Sequence, residues 1–473
     1  MSPQFNKAER RIVQDLREHG QDHVLRWVDE LALPARRRFM AQLAALDFGL
    51  LEEFQRLIET PPTDVSFADV IPAPIQRLPL SAAQQEAEEQ VAQTGRAALE
   101  ANRVAVLTAA GGQGTRLGYD HPKGMYPITP IRGKSLFQLF AERILAARER
   151  YRCALPWLIV TGLTNDEETR AFFWDHSYFG LGADTVHFFV QQDNPILDQD
   201  GRLLLADKGC LAAGPDGHGG TFAALAQSGM LDLLRNGGWD LISYFQVDNA
   251  LVPVADRRFI GHHLRQEADF SCKVVAKRDP QEGLGLAVLK GDRPAVIEYV
   301  DVPKDVAAAR LPSGKLRYRH GSIAVHIISV PFAERVANQK DGLPWHVARK
   351  KYEVLDVEGR GAPAVSVSCH KFERFIFDAL AFADRCAFVE VRRDHEFAPV
   401  KNAEGEDSPA SARMLLQRRW LQWLQEAGAA VRVPRDLSAP LVEVSPLFAS
   451  SVEDVKERIR PGWKPSFPLV LER

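Results

Sequence analysis

The stretch Val104-Ala-Val-Leu-Thr-Ala-Ala-Gly-Gly-Gln-Gly-Thr-Arg-Leu-Gly118, followed closely by Pro122-Lys123-Gly124, decides how this chain is read. Val104 to Leu107 is an apolar, β-branched run that predicts a buried strand. Gly111, Gly112 and Gly114 follow at once, so the backbone can turn sharply and approach a ligand closely. The consecutive N–H groups of such a loop form an anion-binding nest. Arg116 and Lys123 then bring two positive charges to the same place. A strand that opens into a glycine loop with two neighbouring cations is built to hold phosphates.

Two phosphate-binding motifs fail here. A P-loop needs a glycine five residues before a Gly-Lys-Ser, and Ile128 stands at that position before Gly133-Lys134-Ser135. A dinucleotide fingerprint starting at Gly112 needs a glycine where Leu117 stands, and no acidic residue closes a recognisable second strand. The pattern Gly-Gly-x-Gly-Thr-Arg-Leu-Gly with Pro-Lys-Gly downstream instead resembles the nucleotide-binding loop of the UDP-sugar pyrophosphorylases. It is most similar to their eukaryotic UDP-N-acetylglucosamine branch.

Composition bounds the rest. A chain of 473 residues should hold two or three domains around one large core. Its 45% apolar and 26% charged residues match a globular protein in water. A formal net charge of −3 leaves no electrostatic footprint for nucleic acid or an acidic membrane surface. Cys153, Cys210, Cys272, Cys369 and Cys386 are scattered without CxxC spacing, which argues for a reducing compartment and against zinc. The polar start and the absence of an 18-residue apolar window predict no signal peptide and no membrane span, hence a cytoplasmic protein. The sequence leaves the oligomeric state unassigned.

Residues 1–100 read as a small helical N-terminal domain with a connector. Leu43, Ala44, Phe48, Leu51 and Phe54 have helical spacing, and Pro61, Pro62, Pro72, Pro74 and Pro79 mark the connector. Ser81 and Gln84 predict a capping-box helix running to about Ala101. From Val104 strands alternate with helices: Trp157–Thr161, Val186–Val190, Leu241–Val247 and Cys272–Ala276 are strand candidates, and 135–149 is helical. This alternation predicts an α/β domain over 101–385 with a mostly parallel sheet. A mixed C-terminal domain, 386–473, carries a Trp-rich helix around Met414 to Ala427. In such sheets ligands sit at the carboxyl ends of the strands, where the glycine loop and Asp248 both fall.

Three further stretches carry chemistry. Gly217-His218-Gly219-Gly220 precedes the helical pattern starting at Thr221, so its N–H groups lie at a helix start. Asp248, just past a hydrophobic strand, offers the hard oxygen ligand that Mg²⁺ prefers. Gln191 and Gln192 end another strand, and a side-chain amide matches an edge of uracil.

The resemblance continues over roughly residues 100 to 450. It runs in family order through Val252–Gly261, Glu298-Tyr299, Gly321–His326, His346–Lys351, Lys371–Asp378, Glu396–Asn402 and Asp407–Arg413. It implies a Rossmann-like nucleotidyltransferase domain that makes UDP-sugar and pyrophosphate from UTP and a sugar 1-phosphate. Ala109, Ala110, Gly111, Gly112, Gln192, Gly217 and Lys371 are then expected at the nucleotide, with Gln191 the alternative to Gln192. Arg116, Lys123 and Lys401 are expected to be catalytic, and Asp248 to bind Mg²⁺. His218, Gly285, Glu298 and Ser322 would face the sugar.

Two positions depart from the branch. His218 and Ser322 each stand where it has asparagine, and Gly-His-Gly is typical of the UDP-glucose enzymes. N-acetylglucosamine 1-phosphate is the expected sugar, with UDP-glucose or broad-specificity synthesis the alternative. A non-catalytic nucleotide-sugar sensor is the reading from another class. Retention of the cations argues against it.

Overall fold

The computed structural model describes residues 5–60, 65–340, 342–355 and 365–473. Their contacts sort into two compact units that do not follow chain order. The smaller takes Met1–Asp64, Gln192–Gly220 and Leu343–Ile376, and the larger takes the rest. Boundaries expected at residues 100 and 385 therefore differ from the observed division. The helix Ala82–Glu100, assigned by chain order to the first domain, packs on Arg257–Arg265 inside the larger unit. The C-terminal segment also belongs there, because its first strand enters the main sheet.

In the larger unit the main strands are β1 (Val104–Ala109), β2 (Trp157–Thr161), β3 (Val186–Val190), β4 (Leu241–Gln246), β5 (Phe270–Ala276), β6 (His320–Ser329) and β7 (Cys386–Glu390). Across the sheet they run β7-β5-β6-β4-β1-β2-β3, with Ile75–Gln76 outside β7. Only β6 is antiparallel to its neighbours along this path. The mostly parallel sheet is thus as expected, and β2 is buried along its whole length, as a strand covered on both faces must be. A side arm of Val70–Pro72, Leu286–Lys290 and Arg293–Ile297 hangs antiparallel from β6.

Helices cover the sheet. Among them are α1 (Ala82–Glu100), α2 (Leu136–Tyr151), α3 (Asp166–Asp175), α4 (Arg257–Arg265) and α5 (Pro409–Glu426). The reciprocal Ser81–Gln84 capping box starts α1 as the sequence predicts. Phe137, Phe140 and Ile144 of α2 join Trp157, Ile159 and Phe245 in the main core.

The smaller unit packs the helices Leu33–Ala44 and Phe48–Glu59 against a hairpin of His346–Val354 and Val365–Glu373. Its centre is a face-to-face stack of Phe54 on Phe372, with ring centroids 3.9 Å apart and 2° between planes. No helix among the described residues is long and apolar enough to cross a membrane.

Candidate active site

The glycine loop leaves β1 and is laced to the segment that follows it. Gly114 donates to the His121 carbonyl at 2.9 Å and Lys123 to the Gly112 carbonyl at 3.1 Å. From the β2 side, the Asn165 side chain donates to the Ala110 carbonyl at 2.9 Å and accepts the Gly162 N–H at 2.8 Å. A side chain is excluded sterically at Gly124, and at Gly111 it would have to displace a side-chain amide. A Cβ on Gly111 would lie 2.9 Å from Nε2 of Gln191, and one on Gly124 would lie 2.2 Å from the Phe137 ring. Arg116 is exposed and Lys123 half-buried, and neither side chain has a hydrogen bond or ion pair among the described residues. Two uncommitted cations therefore stand on the glycine loop and the segment laced to it.

β4 lies beside β1 with Gln246 opposite Ala109, and the Val247 N–H donates to the Ala109 carbonyl at 3.0 Å. Asp248, the next residue, emerges at the carboxyl edge of the sheet next to the loop. It is 9% exposed, and its carboxylate has no hydrogen-bond or ion-pair partner among the described residues. The Val400 N–H donates to the Asp248 carbonyl at 2.9 Å, which brings Lys401 alongside. Lys401 is half-buried, with its own N–H on the Asp407 carbonyl at 2.7 Å.

Three of the sugar candidates gather where the side arm meets β6. The Ser322 N–H donates to the Gly285 carbonyl at 2.8 Å. A Cβ on Gly285 would sit 3.3 Å from Oε1 of Glu298. Two residues on, Ala324 takes φ = 54° within the strand, and its N–H points to the Ser322 hydroxyl at 3.3 Å.

The other four candidates belong to the smaller unit. Gln192 is exposed, whereas Gln191, its predecessor, is buried in the larger unit against Gly111. Gly217 has φ = 74°, and a Cβ there would lie 2.5 Å from the Arg374 carbonyl oxygen, so no side chain fits. Nδ1 of His218 accepts the Ile376 N–H at 2.9 Å, and its ring stacks on Phe375. Lys371 is buried and ion-paired with Glu373.

Asn165 escaped the sequence reading. Its signal was present, since it stands four residues after β2 at the same sheet edge, but polar loop residues are too common to single out one. Among the described residues no group of three or more His, Cys, Asp or Glu could hold a metal by itself.

Comparison with known proteins gives the family of the chain. Residues 51–466 match the family described as UTP–glucose-1-phosphate uridylyltransferase. The human UDP-N-acetylhexosamine pyrophosphorylase-like protein 1 is 35% identical, over 97% of this chain and 96% of its own. The Arabidopsis thaliana UDP-N-acetylglucosamine diphosphorylase 2 is 34% identical, over 94% and 90% respectively. The crystal structure of the Trypanosoma brucei uridine diphosphate N-acetylglucosamine pyrophosphorylase, in complex with inhibitor, superposes with a TM-score of 0.82 at 28% identity. It covers 100% of this chain and 99% of that one.

Proposed function

Since the chain belongs to the UTP–glucose-1-phosphate uridylyltransferase family, we propose that it joins UTP to N-acetylglucosamine 1-phosphate through the glycine loop, Arg116, Lys123, Asp248 and Lys401. The chain is a uridylyltransferase that forms a UDP-sugar. A phosphate oxygen of the sugar 1-phosphate bonds to the α-phosphorus of UTP, the bond from that phosphorus to the bridging oxygen breaks, and pyrophosphate leaves. The sugar phosphate is itself the nucleophile, so no covalent enzyme intermediate is needed. Catalysis then consists of bringing two anions into line and stabilising the charge that builds on the leaving group.

The observation that carries the assignment is the pair of uncommitted cations on a glycine loop beside an uncommitted carboxylate. Arg116, Lys123 and the loop N–H groups would hold the triphosphate, and Lys401 would draw in the incoming phosphate. The Asp248 carboxylate, nearly buried and without an ion-pair partner among the described residues, fits a Mg²⁺ ligand. Mg²⁺ commonly takes one or two carboxylates and completes its shell with water and substrate phosphates, so a lone aspartate suffices. When bound, the ion neutralises the phosphate oxygens around the reacting phosphorus.

Gly285, Glu298 and Ser322 would line the hexose. For the uridine we keep Ala109, Ala110, Gly217 and one of Gln191 and Gln192; the contact of Gln191 with Gly111 favours Gln191. Lys371 would meet phosphate while ion-paired with Glu373, whose charge competes for it. His218 spends Nδ1 on the Ile376 N–H, so that nitrogen is not offered to the sugar.

Glucose 1-phosphate is the second reading, favoured by His218 and Ser322. Pyrophosphate release from UTP with a panel of sugar 1-phosphates decides between them, and the same assay with ATP and GTP tests the uridine assignment. Comparable turnover with ATP would remove that assignment. No release from any sugar 1-phosphate would leave a binding protein.

A further inference from the structure

The segments that carry Asp248 and Lys401 are bound into one body. Besides the Val400-to-Asp248 bond, the Ala250 N–H donates to the Ala398 carbonyl at 3.1 Å, and Asn249 pairs antiparallel with Pro399. At the centre of this pairing is the Asn249 side chain, in a residue only 2% exposed. Its Nδ2 donates to the Glu396 carbonyl at 2.8 Å. Its Oδ1 accepts the Ala398 N–H at 2.9 Å and the Leu251 N–H at 3.3 Å. One amide therefore fixes both the segment after Asp248 and the segment before Lys401. It needs a donor and an acceptor at once, which a carboxylate cannot supply.

The same pair is gripped from two other directions. Arg143 of α2 donates to the Ala250 carbonyl at 2.8 Å and the Val252 carbonyl at 3.0 Å. Lys273 of β5, with no exposed side-chain surface, bridges Asp256, the cap of α4, and Glu396. Neither of these contacts reaches across from the Asp248 segment to residues 398–400. Asn249 makes that link alone among these side chains.

We propose that Asn249 is a positioning residue that sets the spacing between the Asp248 carboxylate and the Lys401 ammonium, and with it the alignment of the two phosphates that react. This rests on the roles proposed above for Asp248 and Lys401. Misplacing a reacting group by about 1 Å can cost on the order of 100-fold in rate, so a rigid spacer between two such groups has a direct kinetic effect.

The test uses the full chain with Asn249→Ala and Asn249→Ser, whose hydroxyl keeps a donor and an acceptor on a shorter side chain. The expected result for Asn249→Ala is a fall of roughly 10- to 100-fold in kcat, with a smaller fall for the serine variant. Affinity for the UDP-sugar product, read by calorimetry without metal, should drop several-fold. The decisive measurement is a double-mutant cycle. In a Lys401→Ala background, adding Asn249→Ala should cost less than about threefold, because the spacing no longer matters. Folded Asn249→Ala with kcat within about threefold of wild type would overturn the inference, as would losses that multiply in full with those of Lys401→Ala. If the alanine variant does not fold, the serine variant is judged by the same two criteria. Full turnover in Asp248→Asn and Lys401→Ala would instead remove the site assignment beneath it, a distinguishable failure that takes the inference with it.

Discussion

Lys123 donates its backbone N–H to the carbonyl of Gly112, so the loop is closed by the main chain and the lysine side chain is left out of the closure. Lys123→Ala and Arg116→Ala should therefore keep the loop and lose only charge. Because neither side chain has a partner among the described residues, thermal midpoints should stay near wild type. Turnover should drop by about 10²–10³, the usual cost of one preorganised electrostatic donor. Either variant keeping more than about a third of wild-type kcat at saturating UTP would refute the phosphate-loop assignment.

Asp248→Asn puts a neutral amide in place of the hard anionic ligand proposed here, at a residue only 9% exposed. Activity at a fixed Mg²⁺ concentration should collapse, and the concentration giving half-maximal rate should rise. A Mg²⁺ titration of both proteins reads this directly. An identical metal dependence would make Asp248 a structural turn residue.

The crossing of α1 and α4 has no room for a side chain. A Cβ on Gly95 would lie 1.9 Å from the Arg257 carbonyl oxygen, and one on Gly261 would lie 1.9 Å from that of Val91. Gly95→Ala and Gly261→Ala should each destabilise by about 1–3 kcal/mol or more through forced separation of the helices. Urea unfolding measures the loss. Two variants as stable as wild type would mean that the helices do not meet backbone to backbone.

Acid should weaken the fold through buried histidine. Burial takes the His263 pKa down to about 4, with its ring nitrogens against the hydroxyls of Ser271 and Ser329. Above the unfolded value of about 6.5 both states are neutral and nothing changes. Between there and about 4 the unfolded chain takes up a proton that the folded one refuses, so stability falls as pH falls. The loss from this one residue is on the order of 3 kcal/mol at most. His263→Gln should flatten that part of the stability curve between pH 6.5 and 4, and an unchanged slope would place the sensitivity elsewhere.

Ser322→Asn, alone or with His218→Asn, should raise the preference for N-acetylglucosamine 1-phosphate over glucose 1-phosphate. One rearranged hydrogen bond is worth about 1 kcal/mol, so the kcat/KM ratio should shift several-fold. Since His218 also caps the Ile376 N–H, the double variant should be less stable than the single one. A ratio that stays at the wild-type value in both variants would put the sugar selector at other residues.

What could be read from the sequence was what neighbours in the chain decide. The glycine loop, the buried runs of β1, β2 and β4, and the Ser81 capping box are local patterns, and the structure has each at or within a residue or two of its expected place. What could not be read depends on pairing between distant segments. β6 inserts antiparallel between β4 and β5, and no feature of its own sequence announces that register. The Gln191–Gln192 pair shows the same limit at single-residue scale. Adjacent residues point apart on an extended chain, so composition alone cannot tell which amide meets Gly111.

The stack of Phe54 on Phe372 has a consequence for how the protein is made. The helices around Phe54 are synthesised long before Phe372, the aromatic partner at the centre of their core. At about 5–20 residues per second they wait tens of seconds with an apolar face exposed. Until residue 372 arrives the Phe54 ring lacks its stacking partner, and any chain cut short before that point leaves that face of the helices uncovered.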